Sequence, residues 1–251
     1  MQQLLMCGGN GALRVVDGAD FDGTFDYMKR GAGLTGAADS KKGILSFWLN
    51  TWAVGSNVIL RSDVAGLVYN NFTVGNTGVD IFFFMQVYDS SGTSGVNQNT
   101  TVAMNIGTWY HILASWDCAT TTSHLYKSDV SDQHFVSANA DVTIDYTHTD
   151  WVVGASITGT LKYPGYLAEF YYAPGQYLDF SSVANRRKFI SASCKPFHLG
   201  TDGSLPTGTA PLMYHHLDNG EAVANFATNR GTGGNFTITG TLATSASSPS
   251  D

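Results

Sequence analysis

Basic residues are scarce. The 251-residue chain holds only 13 Lys and Arg against 20 Asp and Glu, a formal charge of −7. Phosphate-backbone binding needs a basic face, and the single basic cluster, Arg186, Arg187 and Lys188, is too small to supply one. No nucleic-acid partner is therefore expected. Long apolar runs are also missing, so no stretch is expected to insert into a membrane. The start, "MQQLLMCGGNG", lacks the basic leader and the apolar length of a signal peptide. Cysteine is sparse and odd in number. Cys7, Cys118 and Cys194 make no disulfide framework and no metal-ligand spacing. Three reduced, mostly buried thiols are expected, with one disulfide plus a free thiol as the alternative. Glutamate is nearly absent, with Glu169 and Glu221 alone. Glycoside hydrolysis normally uses two carboxylates flanking the scissile bond, and no paired-acid strand pattern exists here. An enzyme is not expected.

Apolar residues are plentiful, at 43%, while charged residues reach only 13%, about half the usual share. The polar surface must be built from Ser, Thr, Asn and Gly, which suits a β-rich protein with many turns. Strand-like runs recur between turn signals: 12–17, 25–29, 44–52, 57–62, 66–71, 79–89, 99–104, 109–117, 123–129, 150–156 and 165–173. The run "GTWYHILASWD" (107–117) alternates Trp109, His111, Leu113 and Ser115 against Tyr110, Ile112, Ala114 and Trp116. Neither face suits water, so the strand should be covered on both sides. The run 79–89 reads the same way, as a second central strand. Gly-rich loops fall at 31–43, 90–95 and 156–165. One helix is expected at 178–193, with Asp179 as N-cap, Phe180, Val183 and Ile190 on one face, and the basic cluster near its C-terminal end. Residues 195–211 hold three of the six prolines and read as a connector, followed by strands at 212–218 and 235–242 and a polar tail at 243–251.

The ordered set "ADFDGTFDYMKR", "GILSFWLNTW", "GTWYHILASWD", "HLYKSD", "WVVGAS" and "GYLAEFYYAPGQYLDFSSVANRRKFI" resembles the laminin-G-like branch of the concanavalin A-like lectin/glucanase superfamily. The resemblance covers roughly residues 12–192 and is closest in kind to bacteriophage and prophage members. It implies an all-β fold, an antiparallel jelly-roll sandwich. The expected layout is a sandwich core at 1–193, then 194–251 as connector, closing strands of the same sandwich and tail. Residues 211–240 resemble the segment that often opens such domains, which a circularly permuted order would explain; 212–242 are expected to complete the same sandwich, the alternative being a small tail docked on a neighbouring subunit. The implied function is a non-enzymatic virion structural protein, a capsid, neck or tail decoration or a fibre-associated domain with glycan adhesion as an added role, partnered by other virion subunits or copies of itself. The alternative is a lectin or adhesin for host-surface polysaccharide.

Candidate site residues follow from chemistry. Asp20, Asp22 and Asp26 stand close in "ADFDGTFD", a spacing compatible with calcium, although the EF-hand positions are incomplete. The expected reading is a tight turn at Asp22-Gly23, with no required cofactor and calcium as the alternative. Sugars are held by aromatic faces with Asn and Asp hydrogen bonds. The loop aromatics Tyr163, Tyr166 and Tyr177 are the candidates for glycan or subunit contact. Adjacent His215 and His216 point to opposite faces of a strand and cannot share an ion.

Overall fold

The computed structural model describes residues 14–64, 67–78, 80–137 and 139–251. Cys7 and the first residues of the 12–17 run lie outside them. The strands in chain order begin with β1 (Val16–Asp17), β2 (Ala19–Asp22), β3 (Tyr27–Arg30), β4 (Lys42–Thr51), β5 (Asn57–Val64) and β6 (Leu67–Thr77). They continue with β7 (Asp80–Tyr88), β8 (Ser94–Asn99), β9 (Tyr110–Asp117), β10 (Thr122–Lys127), β11 (Val130–Ser131) and β12 (His134–Ser137). The last are β13 (Trp151–Val153), β14 (Pro164–Pro174), β15 (Met213–His215), β16 (Leu217–Asp218), β17 (Thr237–Thr239) and β18 (Ala243–Thr244).

Two eight-stranded sheets form the sandwich. Sheet I runs β11-β10-β9-β4-β14-β2-β18, with β15 also on β14. Sheet II runs β12-β8-β7-β6-β5-β13-β3-β17. All pairings within them are antiparallel. A short β1–β16 ribbon lies apart. Strands from 213–244 thus pair with β1, β2, β3 and β14, and they contribute to both sheets.

Side-chain alternation explains the core. On β9, Ile112, Ala114 and Trp116 face sheet II, where they share one core cluster with Phe72, Phe83 and Trp151 of that sheet and with Tyr172 of β14. Tyr172 sits at the centre, with ring centroids 5.5 Å from Phe72 and 6.0 Å from Trp151. Its hydroxyl donates to Asn70 Oδ1 at 2.8 Å, and Trp116 Nε1 donates to Tyr146 Oη at 2.9 Å. Buried aromatic polar tips are thereby satisfied.

The opposite face of β9 is also covered, as its apolar pattern demands. Leu113, with Ile44, Tyr171 and Ala173, packs under Phe180, Phe189 and Leu199 from the segment that follows β14. That segment is the lid of sheet I. Among the described residues, sheet II has no equivalent layer over β7. There Ile81, Phe83, Met85 and Val87 are buried, while Phe82, Phe84, Gln86 and Tyr88 are half-exposed. The reading of β7 as covered on both faces is therefore corrected.

Three other expectations change. The helix shrinks to Val183–Arg186, with Ser182 at the N-cap position but making no side-chain capping bond. Asp179 instead accepts the Ser181 amide at 2.8 Å in a turn, and Val183 is exposed. Arg186 and Arg187 both pair with Asp129, at 2.6 Å each, so a side-chain anion rather than a helix end holds them. The strand expected at 99–104 is mostly loop, and β8 starts earlier, inside the presumed 90–95 loop. Finally, Cys194 is exposed, unlike buried Cys118, and both are free. Burial pushes the Cys118 thiol up to about 11.

Candidate functional site

Register gathers the site at one end of sheet I. Ala243 pairs with Asp20, Asp20 with Tyr166, and Tyr166 with Asn50. Trp109 precedes β9, whose first pair is Tyr110 with Leu49, so it arrives beside the same row. Because Phe21, Leu49 and Leu167 point into the core, the row Asp20-Tyr166-Asn50-Trp109 points away from it. Trp52, just past β4, completes an aromatic group. Its ring lies 4.8 Å from Tyr166, and Trp109 lies 5.9 Å from Tyr166 at 33°. All three rings are half-buried. Trp109 Nε1 donates to Ser247 Oγ at 3.0 Å. Its ring lies close against Gly18, where a Cβ would come within 2.9 Å of Cη2.

Beside this row is a shallow cleft of about 460 Å³, lined by Asp20, Asp22, Phe25, Asp26, Thr239, Gly240, Thr241 and Ala243. The turn builds it. Asp22 Oδ1 accepts the amides of Thr24, Phe25 and Asp26 at 2.8, 2.7 and 3.0 Å. Gly23 takes a φ of +69°, which suits glycine. Asp26 Oδ1 accepts the Thr241 amide at 2.7 Å, tying the turn to the C-terminal strands. The reversal leaves the Phe25 ring 68% exposed.

The electrostatics are uneven. Burial alone would raise the Asp22 carboxyl, but the three amides, with Lys162 nearby, hold it below the usual range. Asp20 goes the other way, raised by burial and then by Asp26 and Asp22. Its Oδ1 is buried with no hydrogen-bond partner among the described residues. The three aspartates line one cleft, yet they are not a group whose ligand atoms all lie within 4.8 Å of one another. Among the described residues that group is His216, Asp218 and Glu221. There Arg14 pairs with Asp218, and Arg230 with Glu221 at 2.6 Å. Two guanidiniums already balance the two carboxylates, so a cation finds no net negative charge.

The predicted tyrosines separate. Tyr163 is fully buried against Phe21, so its ring has no surface to offer; it is a core residue. Tyr166 is central to the aromatic group. Tyr177 sits near Lys42, at the opposite end of β4, with its hydroxyl 3.4 Å from His124 Nε2. Asp63 pairs with Arg61 and Asp117 with Lys42, while Asp89 Oδ1 caps its turn through the Ser91 and Thr93 amides. Trp52, Trp109 and Asn50 were not singled out as loop candidates; the signal that could have found them is cross-strand register.

Glu169 occupies a bulge. The β14 register shifts between Ala168 and Tyr171, and Glu169 has a φ of +49°. The extra residue puts Leu167 and Tyr171 on opposite faces, contrary to strict alternation. Burial drives the Glu169 carboxyl up to about 7, against the opposing pull of Arg14 and Tyr214. Its Oε2 accepts from Tyr214 Oη at 2.8 Å. A buried Ser46–His111 pair, 2.8 Å apart, is likewise closed to substrate.

No family model matches the chain, and no curated protein matches it. Among solved structures it is similar to a heptameric SAP-like pentraxin from Limulus polyphemus, at 13% identity and TM-score 0.52, over 67% of this chain and 82% of that one. It is also similar to a proposed carbohydrate binding protein from Bacteroides ovatus, at 13% identity and TM-score 0.60. That match covers 94% of this chain but only 62% of the other protein. Mouse laminin alpha1 domains LG4-5 align at 15% identity and TM-score 0.45, over 70% and 47% of the two chains. The first two likenesses bear on fold, and they agree with the topology above, an antiparallel jelly-roll sandwich.

Proposed function

We propose that the chain is a lectin-like carbohydrate-binding domain. The carrying observation is the row Asp20-Tyr166-Asn50-Trp109 with Trp52. It combines three half-exposed aromatic faces with the half-buried Asp20 carboxyl group, above a buried Asn50; aromatic faces beside a carboxylate are groups that hold a sugar. Phe25 and the cleft threonines extend the surface. Three aspartates at the cleft disfavour uronic and sialic acids through like-charge repulsion, so the ligand class is neutral or amino sugars. The carbohydrate-binding description of the Bacteroides ovatus protein supports the reading. No catalytic role is assigned, since Glu169 is sealed and Glu221 is held by Arg230.

Adhesion takes precedence over a purely structural virion role. The virion setting rests on the sequence resemblance and the low-charge surface, and none of the similar structures is described as a virion protein. Display on a virion, with contacts to like or unlike subunits, is proposed as the setting in which adhesion operates. Mass spectrometry of purified particles tests that part.

The binding test is a glycan array with the wild type, Trp109→Ala, Tyr166→Ala and Asp20→Asn. Binding to neutral or amino-sugar glycans that falls at least about tenfold in the aromatic variants is expected, the scale of one lost stacking contact with its hydrogen bonds. Binding restricted to acidic glycans, or unchanged in all three variants, refutes the proposal.

A further inference from the structure

We infer that residues 245–251 are a strap of hydroxyl groups that occupies the sugar surface beside Trp109, and that a glycan must displace it to engage that ring fully. The inference concerns regulation of the site described above and rests on the aromatic row being the sugar site.

The sequence builds the strap. The segment "SASSPSD" carries serine at 245, 247, 248 and 250 and a single charge, Asp251. β18 ends at Thr244, which pairs with Ala19. Pro249 has no N–H to give to a ladder, and serine hydroxyls compete with backbone pairing. The chain therefore continues beside β1 outside any strand, held mostly by side-chain hydroxyls. The Ser245 amide donates to the Gly18 carbonyl at 2.8 Å, and the Gly18 amide donates to Ser245 Oγ at 3.0 Å. Ser248 Oγ donates to the Val16 carbonyl. The Val16 amide donates to Ser250 Oγ at 3.1 Å, and that hydroxyl donates to the Arg14 carbonyl at 3.1 Å. Between these contacts, Ser247 Oγ accepts the Trp109 indole N–H.

The groups that the strap occupies are groups that a sugar can take. A hydroxyl both donates and accepts. Here serine hydroxyls accept from one indole N–H and two backbone amides and donate to two backbone carbonyls. The hydroxyls of a sugar ring carry the same donor and acceptor set. The hold is also exchangeable. Pro249 is buried, but Ala246 is exposed and the four serines are half-buried. Asp251 is exposed and accepts the Ser248 amide at 2.8 Å, within the strap itself. Neutral hydrogen bonds exchange with water at small net cost, so a polyol can replace them one by one. Position completes the case. Ala243 pairs with Asp20 two residues before the strap begins, and Trp109 lies 5.9 Å from Tyr166. With Ser247 in place, the Trp109 donor is spent within the chain. With the strap lifted, that donor faces a sugar seated on Tyr166.

The test keeps the full chain and follows the Trp109 and Trp52 indole N–H resonances. Wild type, Ser247→Ala, Ser247→Thr and the triple variant Ser247→Ala/Ser248→Ala/Ser250→Ala are compared, each checked for native circular dichroism. Galactose, mannose and N-acetylglucosamine are the probes. The Trp109 indole N–H should exchange faster with solvent in Ser247→Ala and in the triple variant, and at the wild-type rate in Ser247→Thr, which keeps the hydroxyl. At least one sugar should shift both resonances, with a Kd about tenfold lower in the triple variant, the gain expected when a strap is closed about ten times as often as open. Ser247→Ala should show a smaller gain in the same direction, which keeps the test decisive if the triple variant folds poorly. Equal affinity in all forms overturns the inference. So does weaker binding without the hydroxyls, which would make the strap a brace for Trp109. Unchanged indole exchange in the triple variant overturns it whatever the sugars do. In these cases the sugar site stands. No shift with any of the three sugars in any form also overturns it; a glycan array that still binds then leaves the sugar site standing, and a blank array fails both.

Discussion

Acidification from pH 7 to pH 5 should weaken the fold, through three histidines sealed in the interior. His111 and His215 are fully buried and His216 nearly so. Burial lowers His111 to about 3, partly opposed by Asp129, and lowers His215 and His216 to about 4 each. The geometry gives the reason. His111 Nε2 meets Ser46 Oγ, and His215 Nδ1 meets the Phe226 carbonyl, at 2.8 Å each. The other ring nitrogen of each, and Nδ1 of His216, is buried without a partner among the described residues. A proton there would bring a desolvated charge and an N–H with no acceptor. A lowered folded pKa means that the unfolded chain binds more protons below pH 6.5. The stabilisation is thus present above the unfolded value and lost as pH falls toward the folded one. At pH 5 each histidine costs roughly 2 kcal/mol relative to pH 7. Glu169 acts in the opposite sense: its raised value favours the fold below its unfolded range, a contribution lost as pH rises through about 7. It returns roughly 2 kcal/mol on acidification. The net loss is therefore roughly 3–4 kcal/mol, against a typical total of about 5–15. Urea unfolding followed by tryptophan fluorescence should show the midpoint falling by roughly 1 M. His111→Gln should remove about a third of the histidine part of the pH slope. Equal midpoints at pH 5 and 7 would refute the reasoning.

Tyr214→Phe strips Glu169 of its hydroxyl donor and should destabilise by about 1–3 kcal/mol, more at pH 8 than at pH 5, where the carboxyl is protonated; urea melts at both pH values check it. Asp22→Ala leaves three turn amides without their shared acceptor and should cost about 1–2 kcal/mol, read by the same melts. A chelator should leave the melting temperature unchanged, because the aspartate turn is held by amides; a steep fall in a thermal scan would contradict this. Truncation after Ser193 removes β15, β17 and β18 from both sheets and should yield no folded product, as judged by circular dichroism and proteolysis.

Much of the sandwich was legible because alternation is a local signal. The two-faced apolarity of β9 required cover on both sides, and the structure supplies sheet II on one and the post-β14 segment on the other. The same reasoning failed on β7, because Phe82 and Phe84 look like core residues in sequence but sit half-exposed with Gln86. Hydrophobicity does not state whether a second layer exists. The helix was over-read because Phe180 and Ile190 are indeed buried, but by irregular chain lying on sheet I rather than by one continuous helical stripe. Arg186 and Arg187 answer to Asp129, distant in sequence, and no helical pattern contains that information.

The site was legible only in parts, for a geometric reason. Tyr166 and the three aspartates could be named from loop chemistry, whereas Tyr163, two residues before Gly165 in the same motif, turns inward against Phe21. What joins Tyr166 to Asn50, Trp109 and Asp20 is the pairing of four segments far apart in the chain. That pairing depends on where β14 bulges. Glu169 inserts one residue, so the strand can present Tyr166 outward at one end and still return Phe170 and Tyr172 to the core further along. The buried Glu169 thus has a structural consequence. It resets the facing of β14 between the outward Tyr166 end and the Tyr172 centre, with Tyr214 from the C-terminal strands and Arg14 from the start of the described chain beside it there.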